Sequence, residues 1–345
     1  MRRFCIFLIS VATFCSTTPL FSHNPGAEQD TLRILGVGNS WTRDSMRWLS
    51  AIASSAGRPV IVGHGYLGGS TLRQQYYGID DTTFTYRHRN IDQVVHNTYQ
   101  YWKYTCSDTP EKTPSEGYKN GLAGIGVTLE SVVKDEPWDI IVFQPTVIVK
   151  DNLPSHGDFD LMDLVRKIKR MMDPEVAASV KCGLMVPFSY PEGNTDYRKN
   201  VVDAYNNGIR PENQYEWDEL YEYMHNEIQK DSKRLAEHMG SECEFIINVG
   251  KVIHMARADK RLSGFGYLLQ RAQNNTHLAE GMPMYIASLC YAYTLLGLRP
   301  DEISFFPEYS ADSHLTGDTG NTIKTKRRNT PAVASYARTF TFNSL

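Results

Sequence analysis

Five short apolar runs recur along the chain, at Leu32–Val37, Pro59–Val62, Trp138–Phe143, Cys182–Phe188 and Glu244–Val249. Most are continuous rather than alternating, the pattern of strands buried on both faces of a parallel sheet. Between and after them, apolar positions return at helical spacing. The first such stretch runs from Thr42 to Ala56: Met46, Leu49, Ile52, Ala53 and Ala56 share one face, and Gly57 stops it. A second covers Asp160 to Met172, ended before Pro174, and a third Glu216 to Met239, ended by Gly240. The last is Met282 to Leu296, where Pro283 suits a first turn and Gly297 and Pro300 close the helix. Strands alternating with helices predict a doubly wound α/β fold, three layers α/β/α around a mostly parallel sheet. Sheets of this kind build sites at the carboxyl ends of their strands.

Two long segments break the alternation. Gln74 to Gly124 is polar and rich in aromatics, among them Tyr76, Tyr77, Tyr101 and Trp102, and Ser189 to Tyr215 is polar with Pro, Gly and Asn. Segments of this length in a compact domain are expected to be functional loops or unstructured. Residues 301–345 read as a polar tail. The resulting organisation is one domain over 30–300, with an aromatic-rich insertion at 74–124, followed by that tail.

The first residues of the 345-residue chain carry a targeting pattern. Arg2 and Arg3 lead into the apolar stretch Phe4 to Phe14, and small and polar residues follow from Ser16 to Ser22. This is the layout of a secretory signal peptide, too short in its apolar part to span a bilayer. Residues 1–25 are read as that peptide, which places the protein outside the cell, in a periplasm or on a cell surface. No later segment is apolar and long enough to cross a membrane. The net charge of −3 and the absence of any basic block beyond Lys326-Arg327-Arg328 argue against nucleic acid as a partner. Beyond the leader, Cys106, Cys182, Cys243 and Cys290 lie far apart with no C-x-x-C pair, so neither a zinc ribbon nor a dense disulfide scaffold is indicated. Cys182 and Cys290 sit in apolar runs and are expected to be buried.

Four pieces line up with one chemistry. Gly38-Asn39-Ser40 follows the first apolar run and precedes the first helical pattern. A serine at a strand-to-helix turn is poised as a nucleophile, with backbone N–H groups close by to hold an oxyanion; the same serine would also serve as a helix N-cap. Gly68-Gly69-Ser70-Thr71 follows a strand, and glycine there lets backbone approach a ligand closely. Gln144 ends the buried run from Trp138 and can donate to an oxyanion. His277 lies just before the last helix, where a neutral imidazole could take the serine proton and return it to the leaving group. No His-Glu-x-x-His pattern occurs, and Gly63-His64-Gly65 lacks the later glycine and lysine of phosphate loops, so neither a metal nor a cofactor is expected.

This order of motifs resembles the SGNH (GDSL-like) hydrolase superfamily, and in particular a secreted bacterial branch that reads Gly-Asn-Ser, Gly-Gly and Trp-Asp…Gln in its first three blocks. The resemblance covers most of residues 31 to 298. It implies a flavodoxin-like sheet, Ser40 as nucleophile, His277 as base, and an oxyanion hole of the Ser40 and Gly69 N–H groups with the Gln144 amide. Trp41 and Asn39, flanking the serine, are the expected substrate contacts. Three positions depart from the superfamily pattern. Gln144 stands where Asn is usual, Asn39 where Asp is usual, and Asn274 three residues before His277, where the acid is usual. An Asp-to-Asn change in a serine protease triad costs about 10⁴ in turnover. So Asn274 orients His277 without charge, and either an acid comes from elsewhere, a Ser–His dyad suffices, or activity is weak or lost. Asp312 and His314 form a competing pair. The function expected is that of a secreted serine esterase removing acetyl or other small acyl groups from carbohydrate. The alternatives are a non-catalytic carbohydrate-binding protein on a decayed hydrolase fold, which Asn274 favours, and a lipase or thioesterase with an apolar groove beside Ser40.

Overall fold

A computed structural model describes residues 31–66, 69–80, 85–87, 94–96, 100–104, 129–190, 214–262, 277–279, 281–311 and 326–345. The expected signal peptide, Asn274, Asp312 and His314 lie outside the described residues.

All five apolar runs become parallel strands: β1 (Leu32–Gly38), β2 (Val60–Tyr66), β6 (Ile140–Phe143), β7 (Lys181–Met185) and β8 (Phe245–Ile247). Their order across the sheet is β2-β1-β6-β7-β8, and β5 (Gln100–Tyr104) is added antiparallel outside β2. The parallel part therefore has the 2-1-3-4-5 order of doubly wound sheets of the flavodoxin kind, whose switch point lies between the first strand and the third. Here that point is the gap between β1 and β6, directly above which Ser40 and Gln144 begin their loops. β3 (Thr85–Arg87) and β4 (Val94–His96) pair separately.

Helices cover both faces. On one, α1 (Ser40–Met46), α2 (Leu49–Ser55) and α8 (Val249–Ala258) pack on α9 (Met282–Leu296). On the other, α3 (Leu72–Asp80), α4 (Leu129–Lys134) and α5 (Leu161–Met171) pack together. The chain also forms α6 (Pro174–Ser179) and the long α7 (Gln214–Met239), which contacts α8 and β7. The three-layer α/β/α architecture read from the alternation is the one observed. α9 is buried along nearly its whole length, only Thr294 escaping burial. It has neighbours on every side rather than an outward polar stripe.

Three features differ from the sequence pattern. The single helix expected over Thr42–Ala56 is two, broken at Arg47–Trp48. The cause is Ser288 of α9, whose hydroxyl accepts from Trp48 N at 3.0 Å and donates to Ser45 O at 2.9 Å. A side chain inserted into the backbone ladder is a standard origin of a helix break. Part of the 74–124 insertion belongs to the sheet itself, as β5, and its first residues belong to α3. Within 301–345, β9 (Tyr309–Ala311), β10 (Lys326–Arg328) and α10 (Pro331–Ser344) are folded onto the domain, with Ala334 and Ala337 buried. α10 packs on α9, and Ser310 Oγ accepts from Met282 N at 2.8 Å, pinning the start of α9. Cys182 and Cys290 are buried, as expected, and burial pushes the Cys182 thiol up to about 12.

Candidate active site

β1 delivers its last residue, Gly38, to the top of the sheet, and the chain turns there into α1. A side chain at Gly38 would put a Cβ 2.7 Å from Gln144 Oε1 and closer still to Thr42 Oγ1, so only glycine lets the turn close. The first N–H groups of a helix have no intrahelical acceptor and need partners when buried. Asn39, the N-cap, supplies two: its Oδ1 accepts from Trp41 N at 3.0 Å, and its carbonyl from Thr42 N at 3.1 Å. The Asn39 N–H donates in turn to Gln144 Oε1 at 3.1 Å. Among the described residues no protein acceptor takes the backbone N–H of Ser40, which is the first residue of α1.

Three amide side chains lock this turn to its neighbours. Asn39 Nδ2 donates to Ser70 O at 3.1 Å, tying in the turn of Gly69, which has φ of 65°. Gln75 Nε2, from α3, donates to Gly38 O at 2.6 Å and to Ser70 Oγ at 3.1 Å. Gln144 Oε1 accepts also from Thr42 Oγ1 at 3.1 Å, while Gln144 Nε2 donates to Pro145 O. The loops after β1, β2 and β6 are thus joined by one buried polar network, and the three expected blocks around Ser40, Gly69 and Gln144 meet in space.

The roles within that meeting differ from expectation at three positions. Gln144 turns its oxygen, not its N–H₂, toward the serine turn, because the buried Asn39 N–H needs an acceptor there. Asn39, expected to contact substrate, is 6% exposed and spends both ends of its amide on the protein. Trp41 is buried against Phe188, ring centroids 4.8 Å apart, and Tyr190, at 5.5 Å. It is core, because the helical turn after Ser40 points it under the loop that follows β7. Replacing Gln144 with leucine would strand Asn39 N–H and the Thr42 hydroxyl. That is expected to cost roughly 2–4 kcal/mol in urea unfolding. An oxyanion donor would instead show a loss of about 10²–10³ in kcat with the urea midpoint unmoved, and that result would return Gln144 to the role expected from sequence.

His277 reaches this site from the far end of the chain. Its Nδ1 lies 2.8 Å from Oδ2 of Asp44, on the third turn-forming residue beyond Trp41 in α1. The Asp44 side chain is wholly buried, and that of His277 is 23% exposed. The second carboxylate oxygen of Asp44 lies 3.6 Å from Arg43 Nη2. Ser40 and Asp44, four residues apart on one helix, stand one above the other on the same face. Ser40 is half-buried, and its hydroxyl makes no hydrogen bond to another described residue; contacts of this kind often close only with substrate in place. Beneath α1, on β2, His64 is fully buried and is pushed down to about 3, first by burial and then by the Arg43 and Arg47 cations, with Asp44 opposing. Asp44, Thr42 and Gln75 carry no motif that singles them out in the sequence. The one available signal is that Asp44 falls a single helical turn after the candidate nucleophile.

Elsewhere, His225 of α7 stacks on His254 of α8 with centroids 3.8 Å apart, and burial, with His254 and Arg257 adding, pushes His225 down to about 4. Among the described residues no group of three or more His, Cys, Asp or Glu is arranged to hold a metal ion, and no helix is long and apolar enough to cross a membrane. A groove of about 580 Å³ lined by Glu136, Pro137, Arg170, Met172 and Asp173 lies at the amino ends of β6 and β7, the end of the sheet opposite Ser40.

The fold places the chain in the class of doubly wound α/β/α domains with a polar constellation at the switch point. No protein-family model matches the sequence, and no curated protein does. Among solved structures it is similar to a DUF4886 family protein from Bacteroides uniformis ATCC 8492. The TM-score is 0.62, at 20% identity over 91% of this chain and 94% of that one. A likeness at this identity carries the fold alone.

Proposed function

We propose that this protein is a serine hydrolase of acyl esters, acting on acetyl or other small acyl groups carried by carbohydrate. The observation that carries the reading is that His277 is held on the helix that Ser40 begins, 237 positions earlier in the sequence. Ser40 Oγ would attack the acyl carbon as its proton passes to His277. The oxyanion would lie against the Ser40 N–H, left over by the capping of the turn, and the Gly69 N–H. His277 would then protonate the leaving alcohol, and water would discharge the acyl-serine by the same route. The order of these residues along the chain agrees with the hydrolase superfamily that the sequence resembles. The carbohydrate part of the reading rests on the secretory pattern at the N-terminus and on the aromatic residues of 74–124. The binding-protein alternative leaned on Asn274, and the Asp44 carboxylate on His277 supports the hydrolase reading over it.

The test is hydrolysis of p-nitrophenyl acetate by the purified chain and by Ser40→Ala. Loss of activity in the variant, with its circular dichroism unchanged, is expected. Equal rates would overturn the assignment of Ser40. Acetylated xylan and chitin oligosaccharides then test the carbohydrate class by acetate release.

A further inference from the structure

We propose that Asp44 is the acid of this site, a positioning residue that holds His277 by charge from within the nucleophile's own helix. The inference rests on the reading of Ser40 and His277 given above. It differs from the Asp-x-x-His arrangement that the sequence resembles, where acid and base share one loop.

Three observations carry it. The Nδ1 to Oδ2 distance of 2.8 Å is that of a charge-assisted hydrogen bond. With Nδ1–H donating to the carboxylate, the ring's tautomer is fixed and Nε2 is the nitrogen that accepts a proton. Second, the carboxylate is wholly buried while the imidazole reaches the surface. The pair therefore points from the interior outward, the orientation a base needs to meet substrate. Third, Ser40 and Asp44 are locked to one another by a single turn of α1. Their Cβ atoms are roughly 5–6 Å apart, a separation that an imidazole ring bonded at one nitrogen to Asp44 can bridge.

The surroundings suit an ionised Asp44. A buried carboxylate is costly unless paired and hydrogen-bonded. Asp44 has the Arg43 guanidinium at 3.6 Å on one oxygen and His277 on the other. His64 on β2 lies beneath the cluster and feels Asp44 together with Arg43 and Arg47. His64 is neutral there, and the cation beside the carboxylate is the Arg43 guanidinium. When Ser40 gives its proton to Nε2, His277 becomes imidazolium beside this carboxylate. Asp44 stays ionised throughout, and the Nδ1 proton stays on the ring.

The experiment compares Asp44→Asn, Asp44→Glu and Asn274→Ala in the full chain, by p-nitrophenyl acetate kinetics and by proton NMR of the Nδ1–H resonance of His277. Asp44→Asn is expected to lower kcat by about 10⁴-fold with KM little changed. Asp44→Glu, which restores the charge one methylene further out, should recover part of that loss. Asn274→Ala should lower kcat less than Asp44→Asn does. The wild type should show a downfield, slowly exchanging Nδ1–H signal that Asp44→Asn removes and Asn274→Ala retains. Should Asp44→Asn fail to fold, the glutamate and Asn274 variants decide. Undiminished kcat in Asp44→Asn, or an Nδ1–H signal that Asn274→Ala removes and Asp44→Asn keeps, would overturn the proposal. If Ser40→Ala retains full activity the esterase reading falls instead, and the NMR signal still tests the Asp44–His277 contact by itself.

Discussion

Adding His277→Gln to the Ser40→Ala variant is expected to cost no further activity. Each single change should lower kcat for an activated acyl ester by about 10⁴-fold or more, and the double variant should be no worse than the weaker single one. The reason is that the two side chains share one proton. Without the hydroxyl, the imidazole has nothing to activate; without the imidazole, the hydroxyl keeps its proton at neutral pH and is a poor nucleophile. What remains in all three is oxyanion binding by the turn amides, which neither substitution touches. Glutamine keeps a polar group of similar reach opposite Asp44 but cannot carry a proton, so the loss is chemical and not a collapse of the pocket. The measurement is kcat for p-nitrophenyl acetate in the three variants, with thermal melting as the control for folding. Losses that multiply would mean the two residues act independently, and a shared proton would then be the wrong description.

The sheet was legible because its inner parallel strands are buried on both faces, so each had to be a run such as Ile140-Ile141-Val142-Phe143. β5 was not. Its sequence, Gln-Tyr-Trp-Lys-Tyr, takes its meaning from the backbone of β2 beside it. The break between α1 and α2 was hidden for a similar reason. It is made by Ser288, 240 residues from Trp48, and no local window contains it. α10 had its signals in Thr330 and Pro331, which cap and open the helix. Its buried face is made of Ala334 and Ala337, too small to show as an apolar stripe.

The site divides along the same line. Ser40, Gly69, Gln144 and His277 could be placed because each sits at the end of a recognisable strand or the start of a recognisable helix. Their roles could not all be placed. Whether Gln144 gives or takes a hydrogen bond depends on which orphaned N–H lies opposite, and that is Asn39 N–H, at the end of the neighbouring strand. Asp44 looked like an ordinary helix residue until His277 was brought to it across 233 positions.

Acid should weaken this fold through His64 in particular. In the unfolded chain that imidazole titrates at 6.5, and in the folded protein at about 3. Burial is the first cause, and the nearby Arg43 and Arg47 cations add to it. A histidine whose folded value is depressed contributes nothing to the slope above 6.5, where it is neutral in both states. Below 6.5 the unfolded chain takes up a proton that the folded one refuses. Stability is then lost as the pH falls, by about 1.4 kcal/mol per pH unit, until the folded site too is protonated near pH 3. Carboxylates titrate in the same window, so the quantity to measure is the difference between wild type and His64→Leu. Urea unfolding at pH 7, 6, 5 and 4 should give a gap that moves in favour of the leucine variant at each step down. Parallel curves would show that His64 is free to take up its proton in the folded state. A neutral His64 also matters above it: protonated, it would add a cation near Asp44 and compete with Arg43 and His277 for its carboxylate.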